Sequence, residues 1–282
     1  MDIIKTVEEF RVFRDSGFFK NKQIGFVPTM GALHEGHLSL MKRSLSENDI
    51  TIVSIYVNPK QFNDKTDYMN YPVNIERDID LLRSVGCDIL FLPFNEDIYK
   101  DYDGYKMDFK GLDEIYEGEF RPGHFQGVVD IVYRLFDIVK PDRAYFGEKD
   151  FQQVAVIKQM VRESGLQVKI VPCPIIREKS GLAMSSRNER LDPEEKVKAA
   201  EIYRIINKVK EKVTIKDNPA ALIAEITNEI DEVKFLKTEY VIFCEPDTLT
   251  PVEFFKEGAS VILCLAVWCE KVRLIDNISL QF

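Results

Sequence analysis

The sequence has few of the residues that build disulfide-rich or zinc-binding proteins. Among 282 residues there are five cysteines, three histidines and one tryptophan. The cysteines are odd in number, form no C-x-x-C pair and have no histidine near them. A disulfide framework or a zinc site is therefore disfavoured, and we expect reduced, buried thiols.

Long apolar runs and a leader segment are also lacking. The longest apolar run, residues 259–269, contains Ser260 and is shorter than the about 20 residues that a transmembrane helix needs. The first nine residues lack the basic-then-apolar order of a signal peptide. We therefore expect a cytoplasmic protein that has no membrane contact.

The charge balance excludes a further class of function. The 47 acidic and 38 basic residues give a net charge of −9, which argues against a general nucleic-acid partner. The apolar fraction of 45% is ordinary for a globular protein. At about 150 residues per domain, the length suggests two domains.

Short β-branched apolar runs alternate with segments of helical period through the first two-thirds of the chain. Strands that are apolar on both faces and alternate with helices form parallel sheets covered on both sides. We therefore predict a Rossmann-like α/β domain over residues 1–178, with its ligands at the carboxyl ends of the strands. The predicted strands are 24–27, 52–57, 89–92, 144–146 and 168–171, and the predicted helices begin near His37 and cover 73–85, 127–139 and 151–164.

The pattern changes after about residue 175. A polar loop precedes Asp192, which we expect to cap a helix with one apolar stripe, and a second helix is predicted over 219–230. Three strands are predicted over 240–243, 261–267 and 272–275. Residues 179–282 are therefore predicted to form a smaller α+β domain.

Two of the three histidines lie in His34-Glu35-Gly36-His37, directly after a strand and a turn. Gly36 lets a ligand approach the backbone, and the start of a helix supplies N–H groups and a positive dipole end. Two imidazoles there suit the oxygens of a phosphate, and the alternative is a pair of helix-capping histidines. The chain has neither a G-x-x-x-x-G-K-[ST] nor a G-x-G-x-x-G nucleotide fingerprint.

Two other polar segments are candidates for nucleotide contacts. In Gly147–Asp150, which follows a strand, Lys149 can neutralise phosphate oxygens and Asp150 can accept from ribose hydroxyls. The alternative is a solvated loop of mixed charge. Ser185–Arg187 supplies hydrogen-bond donors that suit a departing pyrophosphate, although such a segment alone is more often a loop that approaches a helix.

Gln61 and Gln153 are candidates for orienting a hydroxy acid. Neutral amides can hold its carboxylate and hydroxyls without tying up the lone pairs that must attack phosphorus. Each alone would more often be a surface glutamine.

Residues 26–37, FVPTMGALHEGH, resemble the signature of the pantoate–β-alanine ligase (pantothenate synthetase) family, in the nucleotidyltransferase superfamily. Other blocks match in the family's order, so the resemblance covers essentially the whole chain. These blocks are 58–62 (NPKQF), 121–125 (RPGHF), 147–153 (GEKDFQQ), 184–188 (MSSRN) and 273–277 (RLIDN).

The resemblance implies an ATP-dependent condensation of pantoate with β-alanine to pantothenate, AMP and pyrophosphate, through an enzyme-bound pantoyl adenylate. It also implies a homodimer, and ATP as co-substrate with Mg²⁺ held mainly by the phosphates. Asp78 and Asp80 are candidates to assist Mg²⁺ through water, but an acidic helix face explains them equally well.

Carried over block by block, the resemblance assigns residue roles and no metal ligand. The catalytic candidates are His34, His37 and Lys149. The ATP-binding candidates are Met30, Gly31, Ala32, Leu33, His34, Glu35, Gly36, His37, Gly147, Glu148, Lys149, Asp150, Ile176, Met184, Ser185, Ser186 and Arg187. The substrate-binding candidates are Gln61 and Gln153 for pantoate, with Gln61 also near β-alanine, and Asn58, Tyr71, Arg121 and His124 as weaker ones.

Five positions outside these blocks depart from the family pattern. They are Val73, Asp130, Arg134, Cys269 and Glu270. We expect them to affect local packing or the dimer surface and not the reaction.

Other classes of function stay open on the residues alone. An adenylyltransferase would keep the nucleotidyl group on its product and release no AMP. A non-catalytic nucleotide-binding module is the second alternative, because a fold does not fix a function. The presence of His34, His37, Lys149 and Arg187 argues against it. An RNA-acylating synthetase is disfavoured by the acidic charge and the lack of a tRNA-binding appendage.

Overall fold

A computed structural model describes residues 1–63 and 65–282 of the chain. The described chain divides into two compact units. The first unit comprises residues 1–148 and 152–174, and the second comprises 149–151 and 175–282. The domain boundary that we place after residue 178 from the sequence stays a prediction.

The first unit is built on a six-stranded sheet in the order β1-β4-β3-β2-β5-β6, in which all neighbouring strands are parallel. The parallel α/β architecture predicted from the sequence is confirmed. The prediction missed β1, because three residues are too few to give a periodic signal. The strands are β1 (Asp2–Ile4), β2 (Ile24–Thr29), β3 (Ile50–Ile55), β4 (Ile89–Phe91), β5 (Arg143–Gly147) and β6 (Lys169–Cys173).

Two helices of this part of the chain begin earlier than the periodicity of the sequence predicts. The helix predicted from His37 begins at Glu35 because His34 is its N-cap, and the one predicted from Gly127 begins at His124. The helices are α1 (Val7–Phe13), α2 (Glu35–Glu47), α3 (Lys65–Met69), α4 (Ile75–Val85), α5 (Asn95–Ile98), α6 (Glu117–Phe120), α7 (His124–Val139) and α8 (Phe151–Ser164), with short 3-10 turns at Pro59–Gln61 and Glu148–Asp150.

Both faces of the parallel sheet are covered. Successive residues of each strand point to opposite faces. Phe26 and Ile52 therefore lie in one apolar cluster, and Val27 and Val53 lie in the other. All four side chains are fully buried, which explains why successive residues of these strands are apolar here on both faces.

The order in which strands are added to the sheet reverses at β2. From β2 the chain passes to β3 and β4 on one side, then returns to β5 and β6 on the other. The register pairs of β2 with β5 are Gly25–Arg143 and Phe26–Ala144, near the amino end of each strand. Open α/β sheets bind ligands in the crevice at such a switch point, so the carboxyl ends of β2 and β5 mark the candidate site.

The second unit has an antiparallel sheet of β7 (Leu236–Cys244), β8 (Ser260–Cys269) and β9 (Val272–Gln281), with helices α9 (Pro193–Lys212) and α10 (Pro219–Asp231). The predicted α+β character is confirmed, although the strands are longer than the prediction. Asp192 caps α9 in a capping box with Glu195, and Ile202, Ile205 and Ile206 are buried in the core of this unit.

The five cysteines are free thiols, of which four are buried as expected and Cys264 is half-buried. Burial raises the pKa of the Cys87 thiol to about 12 and that of Cys269 to about 11. Among the residues that the structure describes, no helix combines the length and apolar character needed to cross a membrane.

Helix α7 packs closely on the 3-10 turn Pro59–Gln61. A Cβ atom added at Gly127 would overlap the carbonyl oxygen of Lys60 and lie 2.7 Å from the amide nitrogen of Gln61. These are main-chain atoms, so a change of side-chain rotamer cannot relieve the overlap. The close approach requires glycine at this position.

We expect Gly127→Ala to lower the free energy of unfolding by about 1–3 kcal/mol, the usual cost of overpacking. Helix propensity alone predicts the opposite sign, because alanine favours a helix over glycine by about 1 kcal/mol. Urea denaturation of the two proteins measures the difference. An increase in stability would show that α7 and the turn are not in close contact.

Candidate active site

The turn between β2 and α2 has an unusual backbone. After Thr29 and Met30, Gly31 has a φ of +82° and Ala32 a φ of +51°, both in the left-handed region. Glycine adopts this region readily, but for alanine it costs about 1 kcal/mol. This pair of residues directs the N–H groups of Ala32 and Leu33 towards one side chain of α4.

That side chain is Asp78, which is 1% exposed. Its Oδ2 accepts a hydrogen bond from the Ala32 N–H at 2.9 Å, and its Oδ1 accepts from the Leu33 N–H at 2.8 Å. Asp80, two residues later, is exposed and lies 3.7 Å from an Arg83 nitrogen. The structure thus separates the two acids, because Asp78 fixes the turn while Asp80 lies on the surface.

The two histidines of the H-x-G-H motif lie side by side, with ring centroids 4.1 Å apart. His34 is the N-cap of α2, and its Nδ1 accepts from the Gly36 N–H at 3.1 Å. The capping alternative therefore describes His34 correctly. Because Nδ1 is an acceptor, the neutral ring of His34 carries its proton on Nε2. Both imidazoles lie at the start of a 13-residue helix, where its dipole favours anions.

The segment after β3 meets the turn after β2. The Gln61 side chain donates from Nε2 to the Met30 Sδ at 2.7 Å. Two blocks that are 31 residues apart in the sequence are thus brought together at the carboxyl ends of adjacent strands. The sequence-predicted residues Met30, His34, His37 and Gln61 share this edge of the first unit.

Asn58 and His124 hold the main chain around Gln61. Asn58 is fully buried and donates from Nδ2 to the Gly127 carbonyl oxygen at 3.0 Å. The His124 Nδ1 donates to the Gln61 carbonyl oxygen at 2.8 Å, and its Nε2 accepts from Arg121 at 3.0 Å. The resemblance implies that these two residues shape the pocket. In the structure they hold the main chain next to Gln61 in place.

The departure from the family pattern at Asp130 contacts one of the motif blocks. The carboxylate of Asp130 lies 2.9 Å from the Lys60 ammonium and accepts from the Tyr105 N–H at 2.8 Å. The same ammonium lies 3.7 Å from the centroid of the Tyr99 ring. Lys60, the partner of Asp130, precedes Gln61, and the expectation that Asp130 affects local packing or the dimer surface and not the reaction stays a prediction.

The other positions that depart from the family pattern lie outside the motif blocks. Arg134 is buried and donates to the Ile98 carbonyl oxygen at 2.9 Å. Val73 is 61% exposed, and Cys269 is buried in the core of the second unit. Tyr71, a weaker substrate-binding candidate, packs with its ring centroid 5.8 Å from that of Phe62.

The two glutamines in the first turn of α8, Gln152 and Gln153, have different surroundings. Gln152 is buried, accepts from the Glu117 N–H at 3.0 Å, and donates to the carbonyl oxygens of Leu112 at 2.7 Å and Ile115 at 2.9 Å. Gln153 is half-buried. No pattern in the sequence indicates the role of Gln152, because its partners are about 40 residues away in an irregular segment.

In the second unit, Lys149 is anchored through its main chain. Its carbonyl oxygen accepts from the Asn277 side chain at 3.1 Å, and its ammonium lies 3.8 Å from the Asp150 carboxylate. Ser185 caps the 3-10 turn Ser186–Arg190, since its Oγ accepts from the Arg187 N–H at 3.2 Å. Gly147 and Glu148, the preceding residues of the GEKD block, belong to the first unit at the end of β5.

A buried ion pair supports the loop over residues 175–188. Arg177 donates to both carboxylate oxygens of Asp276, at 2.6 and 2.9 Å. Burial raises the pKa of the Asp276 carboxyl above its ordinary value, and the Arg177 guanidinium opposes this increase. Within the loop, the Met184 N–H donates to the Ile176 carbonyl oxygen at 2.9 Å. Sequence reasoning missed Arg177, whose partner lies 99 residues away.

Comparisons with known proteins agree along the whole chain. The family model described as pantoate-beta-alanine ligase matches residues 2–279. A pantothenate synthetase of Cytophaga hutchinsonii is 43% identical over 280 residues, 98% of each chain. The crystal structure of pantothenate synthetase from Thermus thermophilus is 40% identical and superposes with a TM-score of 0.90, covering 99% of both chains.

A second solved structure was determined with ligands. It is the pantoate-beta-alanine ligase of Francisella tularensis, described as complexed with beta-gamma ATP and beta-alanine. The two chains are 39% identical with a TM-score of 0.83, covering 99% of this chain and 97% of that one.

We expect Asp78→Asn to lower the free energy of unfolding by about 1–3 kcal/mol. Asparagine keeps the shape but offers one oxygen to two N–H donors, so one buried N–H loses its acceptor. Glu76→Gln, an exposed position on the same helix, is the matched control and should stay within about 0.5 kcal/mol of the unmodified protein. Equal effects of the two changes in urea denaturation would contradict the role given to Asp78.

Proposed function

This chain belongs to the pantoate–β-alanine ligase family, and on that premise we infer that it condenses pantoate with β-alanine in an ATP-dependent reaction. The products are pantothenate, AMP and pyrophosphate. The observation that carries the assignment is the H-x-G-H motif at the carboxyl end of β2, with Gln61 held against Met30 beside it. A phosphate-binding helix start and an orienting amide are thus at one sheet edge.

In the first half-reaction, a pantoate carboxylate oxygen attacks the α-phosphorus of ATP. A new P–O bond forms, and the bond to the bridging oxygen breaks, so pyrophosphate leaves with the electron pair. His34 and His37 stabilise the charge that develops on the phosphates, together with Lys149, Ser186 and Arg187. This is electrostatic catalysis with little covalent work by the protein.

The remaining nucleotide contacts follow the motif blocks. The turn Met30–Leu33 and the start of α2, with Glu35 and Gly36, line the ATP-binding site. Gly147, Glu148 and Asp150 contact the nucleotide after β5. Ile176, Met184 and Ser185 complete the binding residues. The support is the resemblance, together with the left-handed turn and the cap that leave the α2 N-terminus shaped for an anion.

Pantoate is oriented by Gln61 and Gln153. An amide can donate to the carboxylate and hydroxyls of pantoate without the strong attraction of an arginine, so the carboxylate stays nucleophilic. Asn58, Arg121 and His124 act by fixing the segment that carries Gln61. The support is the burial of Asn58 and His124, and the hydrogen bonds of Asn58 to Gly127, of Arg121 to His124 and of His124 to the Gln61 carbonyl oxygen.

In the second half-reaction, the amine of β-alanine attacks the acyl carbon of pantoyl adenylate. An amide bond forms, AMP departs with the electrons of the anhydride bond, and the amine loses a proton. Because this anhydride hydrolyses readily, exclusion of water protects the intermediate.

Mg²⁺ accompanies ATP and is held mainly by its phosphates and by water, the ligands that this ion prefers. The residues of the turn fit this arrangement, since both Asp78 oxygens accept main-chain N–H groups. The enzyme acts in the cytoplasm as a homodimer. The cytoplasmic location follows the expectation from the sequence, and the homodimer rests on the family resemblance.

A rapid-quench experiment tests the two-step route. With ATP, Mg²⁺ and pantoate but no β-alanine, we expect about one pyrophosphate per active site and then a stall, because the bound anhydride is protected from water. Adding β-alanine should restart turnover and release AMP with pantothenate. An adenylyltransferase would release no AMP, and a binding module would produce no pyrophosphate.

We expect His37→Ala to lower kcat by about a hundredfold, the effect of losing one donor to the transition state. The KM for ATP should change less, because the imidazole acts on charge that develops during the reaction. Ser46→Ala, an exposed position on the same helix, is the control and should keep its kcat. An unchanged kcat for His37→Ala would contradict the catalytic role proposed for this histidine.

A further inference from the structure

We propose that Asp276 and Asn277, adjacent residues of β9, are positioning residues for adenylate formation. Asn277 fixes the main chain of Lys149, and Asp276 fixes, through Arg177, the loop that carries Ser185–Arg187. The inference rests on the proposed function, because it assigns these two residues to the placement of groups that bind the phosphates of ATP.

Asn277 is 7% exposed on a strand whose register pairs it with Cys264 of β8. Its Nδ2 donates to the Lys149 carbonyl oxygen at 3.1 Å, across 128 residues of sequence. The side chain of Lys149 is 18% exposed, so its path from the main chain is largely enclosed. Fixing the carbonyl group therefore fixes the main-chain position from which the lysine side chain extends.

Asp276 is 5% exposed and holds Arg177 in a two-pronged ion pair. The Oδ1 of Asp276 also accepts from the Asn277 N–H at 2.7 Å. The same Arg177 donates to the Asn277 carbonyl oxygen at 3.4 Å. The two neighbours on β9 thus share one network, and a shift of either residue moves the other.

Arg177 links Asp276 to the loop over residues 175–188. It donates to the Gly181 carbonyl oxygen at 3.2 Å, and its guanidinium lies 3.7 Å from the centroid of the Tyr203 ring. Its main chain forms a bridge with Ala183, immediately before the Met184–Asn188 block. The base of the phosphate-binding loop is therefore tied to β9 through one guanidinium.

The chemistry of the network favours positioning over stability. A buried ion pair contributes little net stability compared with well-packed apolar residues, because both charges lose their hydration. A two-pronged guanidinium–carboxylate pair, however, fixes distance and direction. An apolar pair would fill the same space without setting where Lys149 and the loop begin.

The experiment compares wild-type protein with Asn277→Asp in the rapid-quench assay with ATP, Mg²⁺ and pantoate. Aspartate has the same shape but presents an oxygen to the Lys149 carbonyl oxygen, so the hydrogen bond is lost. We expect the rate of the pyrophosphate burst to fall about tenfold, with an unchanged amplitude. The later reaction of the bound adenylate with β-alanine should keep its rate. Ser279→Ala, exposed on the same strand, is the matched control.

Double variants test whether each residue acts through its partner. In a Lys149→Ala background, Asn277→Asp should slow the burst by less than about twofold, since no ammonium remains to be misplaced. Asp276→Asn should likewise add little in an Arg187→Ala background. Full additivity of the effects in both cases would overturn the positioning role.

The outcomes separate this inference from the proposed function. Wild-type protein that produces no burst would overturn the proposed function itself. A wild-type burst with an equal rate in Asn277→Asp would overturn the inference alone. A smaller burst amplitude at the wild-type rate would mean that Asn277 supports folding and does not place Lys149, which also overturns it.

Discussion

The buried carboxylate of Asp78 is the contact on which the edge of the first unit that carries the candidate site depends. A charged group that is 1% exposed is stable only if donors replace the water that it loses. Here the donors are two successive main-chain N–H groups of the β2–α2 turn. Within this turn, Ala32 has a left-handed backbone conformation, which alanine disfavours. Helix α4 and the turn therefore require each other, and the position of His34 at the start of α2 follows.

The second unit uses a related solution with different donors. Asp276 is also buried, but its main partner is the Arg177 guanidinium, with one main-chain N–H from Asn277 beside it. Loops lack the repeated hydrogen bonds of helices and strands, so side chains from neighbouring elements must hold them. Gln152 does the same for residues 112–117. In this protein, much of the polar interior serves to fix irregular segments.

The sequence predicted the features that rest on short-range patterns. Strands such as 24–29 and 50–55 contain short runs of apolar residues, and the H-x-G-H motif lies within four residues. It could not predict the supports of the site, because Asp78 lies 46 residues from Ala32 and Asp276 lies 99 residues from Arg177. It could not separate Asp78 from Asp80 either. Two residues along a helix turn the side chain by about 200°, so one acid faces the turn and the other faces solvent.

Because β9 is the last strand of the sequence, it is synthesised after the residues that it holds in place. A ribosome makes the first-unit strands and the loop over 175–188 well before it reaches Asn277, which lies 128 residues after Lys149. N-terminal regions begin to fold during synthesis. The histidines can therefore take their places on a nascent chain, while Lys149 and the loop must wait for β9. A ribosome-bound intermediate would have the shape of a nucleotide-binding fold before it had the geometry for catalysis.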